Sequence, residues 1–201
     1  MSRTFSAKMV NTILFFLHEA NDKTLGKIKL AKMLFFADLK AYKESAQTIA
    51  EVDYIRMPRG PMPVEFDKTL NSMKKSGLIR RGKRGENPFF PLQPYDSSIF
   101  NEEELASLHQ VAKDFLSQYT DTVVWLSHKN PAWKYLKHGK YISFALASVD
   151  SEEEVKELIA IANKLTATEI IEGSPELLAS LKRGIEDARR GKLYPVDSLF
   201  E

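Results

Sequence analysis

Hydrophobic and polar positions divide the chain into segments of two periods. Residues 6–20, S-A-K-M-V-N-T-I-L-F-F-L-H-E-A, place Met9, Ile13, Phe16 and Leu17 on one helical stripe. After a turn at Asn21-Asp22-Lys23, residues 27–42, K-I-K-L-A-K-M-L-F-F-A-D-L-K-A-Y, hold no Gly or Pro and few β-branched residues. They predict a second helix, the strut around which the rest is organised. At about 100° per residue, Lys29, Lys32, Lys40 and Lys43 share an arc of roughly 80°. Leu30, Ala31, Leu34, Phe35, Ala41 and Tyr42 point the other way. Phe36 lands among the lysines, which predicts a contact with something outside. Asp38 lands at the middle of the apolar face, where an isolated charge would cost several kcal/mol, so it must be paired or protonated and is expected to pin a loop.

Alternation in E-V-D-Y-I-R-M, residues 51–57, predicts a half-buried strand, and Pro58-Arg59-Gly60-Pro61-Met62-Pro63 an irregular, stiff loop. Helical spacing returns over 64–75 through Val64, Phe66, Leu70 and Met73, and Gly77 stops it. Residues 78–84 and 89–92 read as two strands around a turn at Gly85-Glu86-Asn87-Pro88. Helix, strand, helix and hairpin in that order describe a winged helix. Asn101 with Glu104 forms a capping box for a helix to about Tyr119. A shorter helix, 121–128, carries Trp125, and Pro131 sits in the first turn of another. Residues 141–147 fit a strand or a helix. Ser151 and Glu154 cap a helix to about Leu165. Ser174 and Pro175 open a last helix, closed by Gly191, with a narrow seam of Leu178, Leu181, Ile185 and Ala188. The fold class expected is α+β, mainly α-helical, with a small antiparallel sheet, a winged-helix-like hairpin and a C-terminal helical extension. Residues 1–148 form the domain and 149–201 the extension.

Charge adds an asymmetry. The net charge is +2, but residues 1–100 hold 17 Lys and Arg against 10 Asp and Glu, and residues 101–201 hold 12 against 17. The halves therefore suit contact with each other or separate partners. With no cysteine, disulfides and thiolate metal sites are excluded, which suits the cytoplasm. No apolar run reaches the ~18 residues of a membrane span, and no signal peptide opens the chain.

No set of residues reads as catalytic. His18, His109, His128 and His138 lack tight ligand spacing, so no metal is expected, and no phosphate-binding glycine loop or nucleophile elbow is present. No cofactor is implied. Lys74, Lys75, Arg80, Arg81, Lys83 and Arg84 are either a solvated wing or a nucleic-acid contact. Arg56 or Arg59 is positioned to neutralise Asp38, and His128 is a partner for Asp38 or for an indole N–H. Trp125 and Trp133 are expected in the core or half-buried.

Three motifs, K-I-K-L-A-K-M-L-F-F-A-D at 27–38, D-Y-I-R-M-P-R-G-P-M-P at 53–63 and W-L-S-H-K-N-P-A-W-K at 125–134, resemble the Panacea, or SocA-like, antitoxin domain. Lys29 to Asp38 fall on the family's helix motif, with Phe35 where tyrosine is usual; Gly60-Pro61 and Trp133 fall on the other two. The resemblance covers about residues 5–145. It implies a mainly helical, non-catalytic antitoxin of bacteria or phages that neutralises a cognate protein toxin by direct stoichiometric binding. The expected contact set is Lys29, Lys32, Phe36, Lys40, Arg59, Gly60 and Pro61, while Asp38, Arg56, His128 and Trp133 form a buried structural group. The tail, with Leu193, Tyr194, Val196, Leu199 and Phe200, must pack on its own domain, on a second copy or on the toxin. Two readings stay open beside this one: a winged-helix regulator of its own operator DNA, and an adaptor that delivers a partner to a protease.

Overall fold

A computed structural model describes residues 6–21, 25–82 and 88–161. The turn at Asp22-Lys23, the hairpin tip with Lys83 and Arg84, the last helix from Ser174 and the tail all lie outside the described residues. Helix α1 (Ala7–Ala20) starts where the Ser6 side chain accepts from Met9 N–H at 3.2 Å. It buries more than its stripe: Leu14 and Phe15 are as enclosed as Ile13 and Phe16. Helix α2 (Lys27–Ser45) is buried on almost every side and ends at Ala46, whose φ of 57° closes the helix in the left-handed region.

The chain then forms a hairpin. Strand β1 (Tyr54–Met57) pairs antiparallel with β2 (Gly60–Pro63) across a two-residue turn, Pro58-Arg59. The irregular loop expected over 58–63 is therefore a turn and a strand. Pro61 and Pro63 are tolerated because β2 is an edge, in the order β2-β1-β5, and its outward side needs no N–H donors. Strand β5 (Tyr141–Ile142) pairs with the other side of β1 and is followed by the one-turn helix α7 (Phe144–Ala147), so the ambiguous segment is both strand and helix.

Helix α3 (Phe66–Lys75) leads into a second hairpin, β3 (Ile79–Arg81) with β4 (Phe89–Pro91). Helix α4 (Glu102–Phe115) carries the capping box at Asn101 and Glu104, with both bonds made. Helices α5 (Thr120–Ser127) and α6 (Pro131–Tyr135) follow, α6 with Pro131 in its first turn and Asn130 as its cap. A further helix covers 152–161 after Ser151.

The fold is mainly helical with small antiparallel sheets, as the pattern implied. Its core sits around α2, where Phe35, Tyr54 and Phe144 meet ring to ring at 5.4–5.9 Å. No helix of the described residues is long and apolar enough to cross a membrane.

Candidate protein-binding face

The inner side of α2 holds Asp38, which has no exposed surface. Its Oδ1 accepts from the backbone N–H groups of Ile49 and Ala50, both at 2.8 Å, and its Oδ2 accepts from Tyr54 Oη at 2.8 Å. The carboxyl thus ties the loop after α2 and the start of β1 to the helix. Burial pushes its pKa up to about 6 although all three hydrogen bonds oppose the rise. Burial, with Asp38 beside it, also raises the Tyr54 hydroxyl well above its ordinary range. The cationic partners expected for Asp38 are elsewhere. Arg56 engages Trp133, Arg59 pairs with Asp121, and His128 stacks on an indole. Three donors from the chain itself replace the expected ion pair.

The lysine arc of α2 is not a solvated face. Lys29 is 5% exposed and donates to the carbonyls of Leu116 and Gln118 at 2.9 and 2.6 Å, closing the C-terminal end of α4. Lys32 is fully buried and donates to the carbonyl of Pro61 in β2. Burial first, and the positive charge of Arg59 second, lower its pKa to about 7. Phe36 is half-buried and stacks on Phe115 of α4 at 4.6 Å, so its outside contact is another helix of the same chain. Lys40, partly exposed, pairs with Glu44. Long apolar stems let lysines cross a helix interface and bring their ammonium groups to backbone carbonyls, which a wheel of polar and apolar letters does not distinguish from exposure.

Gly60 explains how Lys32 reaches β2. Its φ is 92°, a conformation that side chains rarely adopt, and a Cβ there would overlap Ser127 Oγ and lie 2.6 Å from Lys32 Cε. The Gly60 backbone therefore rests directly on the Lys32 stem and on α5. Gly60 and Pro61 are both buried. Lys32, Gly60 and Pro61 are thus corrected from surface contacts to the internal mount of the β1–β2 turn, and Lys29 to a buried tie to the end of α4.

A second mount lies beside it. The His128 ring stacks on Trp133 at 3.7 Å with 2° between planes, and the Arg56 guanidinium sits 4.5 Å over the same indole. Trp133 Nε1 donates to Met57 O at 3.0 Å, and Arg56 Nε donates to Trp133 O at 3.2 Å. The stack joins β1, the C-terminal end of α5 and α6. Burial, then the charges of Lys32 and Arg56, lower the His128 pKa, and its Nε2 is buried with no hydrogen-bond partner among the described residues.

What these mounts present to solvent is a compact face. Arg59, at the hairpin turn, has a side chain 56% exposed and donates to Asp121 at 3.1 Å. Asp121 and Trp125 follow at i, i+4 spacing along the outer side of α5, and Lys129 lies just past its end. Trp125 is 56% exposed, more than the core or half-buried place expected of it, and Lys129 Nζ lies 4.4 Å over its ring. Tyr119, 85% exposed, stands at the start of the same helix. The sequence reading missed Trp125, Lys129 and Tyr119. The available signal was that Val123, Val124 and Ser127 claim the buried side of α5, which leaves position 125 outside.

Lys74, Lys75, Arg80 and Arg81 are exposed and lie on α3 and β3, away from this face in the chain. Among the described residues no cluster of His, Asp or Glu is arranged to hold a metal ion.

Compared with known proteins, the chain matches the family model described as antitoxin SocA-like, Panacea domain, over residues 30–134, just over half its length. That span runs from α2 through Trp133, so it contains both mounts and the face they support. No curated protein and no solved structure matches the chain.

Proposed function

We propose, from the premise that this chain belongs to the SocA-like antitoxin family with a Panacea domain, that it captures a cognate protein toxin through the face formed by the β1–β2 turn and α5. The family supports an antitoxin-type role; the choice of face is our reading of the structure. The observation that carries it is Trp125, a large aromatic left 56% exposed on a helix held from behind by Lys32, Gly60, Ser127 and the Trp133 stack. Exposed Trp, Tyr and Arg on rigid elements are the residue types that dominate binding energies at interfaces. Rigid mounting also lowers the ordering cost of association.

The face carries Arg59 and Lys129 with Arg56 behind them, against Asp121. A partner with acidic groups around an apolar recess fits it. Asp121 then acts as a placeholder that Arg59 exchanges for a carboxylate of the partner. The action is binding in a fixed ratio with no bond made or broken, in the cytoplasm.

The test is co-expression with the product of the adjacent reading frame. The wild-type chain is expected to restore growth and to co-purify with that product. Arg59→Ala with Trp125→Ala is expected to lose both while keeping the wild-type melting temperature. Full rescue and co-purification by the double variant would refute the assignment of this face.

A further inference from the structure

Part of the positive charge on the described residues is held in ion pairs. Lys8, Lys27, Lys40, Lys43, Lys68, Lys134 and Arg59 each hold a carboxylate. Lys74, Lys75, Arg80 and Arg81 are exposed and not ion-paired with another described residue, as are Lys113, Lys129, Lys137, Lys140 and Lys156, but these four sit on two consecutive elements. They occupy the last turn of α3 and the outer end of β3, two elements joined by a tight connection. Gly77, at φ 69°, closes the helix while Leu78 N–H donates back to Met73 O at 2.9 Å. The spacing of the four charges is therefore set by backbone geometry.

The hairpin is also rooted. Phe89 is buried and its N–H donates to Leu25 O at 3.0 Å. A Cβ on Gly82 would come within 3.0 Å of Phe90 Cε2 and 3.2 Å of Pro88 Cγ, so the chain packs tightly at the Gly82 end of the β3–β4 ladder. Arg80 faces Phe90 across the ladder, and its guanidinium lies 4.2 Å over that ring. Stacking fixes the guanidinium plane and leaves its in-plane N–H donors free for an anion.

Helix α3 supplies the second part. Lys68, Asn71, Ser72 and Lys75 fall at i, i+3, i+4 and i+7, a single outward stripe of polar and basic residues. The nearest carboxylates on this helix and its cap are occupied, Asp67 by Lys27 and Glu65 by Lys68. A short polar helix beside a rigid basic arm matches a duplex, with the helix against a groove and the arm along the backbone.

We propose that the α3 stripe and the β3–β4 arm form a binding site for duplex DNA, with Lys74, Lys75, Arg80 and Arg81 neutralising backbone phosphates. This site shares no residue with the Arg59–Trp125 face, so one molecule can hold DNA and a protein partner together. Neutralising four phosphates makes log affinity fall with log salt at a slope of about −3.6, roughly 150-fold between about 50 and 200 mM salt.

The full chain is titrated into a fluorescein-labelled duplex of about two helical turns, and anisotropy is followed across that salt range. The wild-type protein is expected to bind at low salt with the slope given. Arg80→Gln is expected to reduce the slope by about one, and the quadruple Gln variant to abolish binding with an unchanged circular dichroism spectrum. Trp125→Ala, which tests the protein face, is expected to bind DNA as the wild type does. Absence of wild-type binding at low salt, an unchanged slope in the quadruple variant, or better competition by single-stranded RNA than by the duplex would each overturn the proposal.

Discussion

Lys32 gives the sharpest handle on how the binding face is built. It is fully buried against Gly60 and donates to Pro61 O, and its pKa falls from 10.5 to about 7. In the unfolded chain the amine binds its proton up to about pH 10; in the fold it lets go near 7. Between those values the unfolded state holds more protons, so stability rises with pH and is lost as pH falls. At about 1.4 kcal/mol per pKa unit, and with the folded amine already half deprotonated at pH 7, the rise from pH 7 to 9 corresponds to roughly 2.3 kcal/mol, about 5–9 °C in melting temperature for a chain of this size. The other shifted groups near the core leave this window clear: Asp38 titrates near 6, His128 below its usual 6.5, and Tyr54 well above 10. Urea unfolding at pH 7 and pH 9 is the assay. Wild-type protein is expected to gain stability at pH 9, and Lys32→Met, which keeps an apolar stem beneath Gly60, is expected to lose most of that gain. A wild-type stability that is flat or falls toward pH 9, or a variant that keeps the full slope, would show that Lys32 is solvated and the turn mounted some other way.

Further expectations concern the neighbouring groups. Asp38→Ala leaves the N–H groups of Ile49 and Ala50 and the Tyr54 hydroxyl without their acceptor, and a loss of about 3–5 kcal/mol is expected in denaturant titration. The raised pKa of Asp38 adds stability that is complete below about pH 4 and lost as pH rises through 6, about 3 kcal/mol in all. The difference in unfolding free energy between wild type and Asp38→Asn at pH 4 and pH 7 reads it. Gly60→Ala forces a side chain into positive φ and onto Ser127 Oγ and Lys32 Cε, and is expected to cost about 3 kcal/mol or more. Phe36→Ala removes the stack on Phe115 and is expected to cost about 2–3 kcal/mol, less than a fully buried phenylalanine, while partner capture per folded molecule stays as in the wild type.

The helices were legible because their signals are local. Asn101 and Glu104, Pro131 in a first turn, and Ser151 with Glu154 mark their own positions without reference to the rest of the chain. The burial of Asp38 followed from phase alone, since one carboxylate stood opposite the lysine arc. Its partners were hidden: donation by Ile49 and Ala50 N–H depends on how the loop after α2 folds back, and backbone groups carry no letter. Strand β2 was masked by Pro61 and Pro63, which read as breakers until the strand is known to be an edge. The face was misplaced for a related reason. Lys29 and Lys32 look like surface residues in a sequence, yet each ends on backbone carbonyls that only the packing of α4 and β2 brings near. Trp125 was expected in the core or half-buried, although the short α5 buries a different side and leaves it exposed.

The central claim, that a partner is held by the β1–β2 turn and α5, is tested most directly by hydrogen–deuterium exchange on the complex with the adjacent gene product. Slowed exchange confined to residues 57–60 and 119–129 is the predicted result. Protection elsewhere, with the amides of the Arg59 turn and α5 exchanging as they do in the free chain, would contradict it.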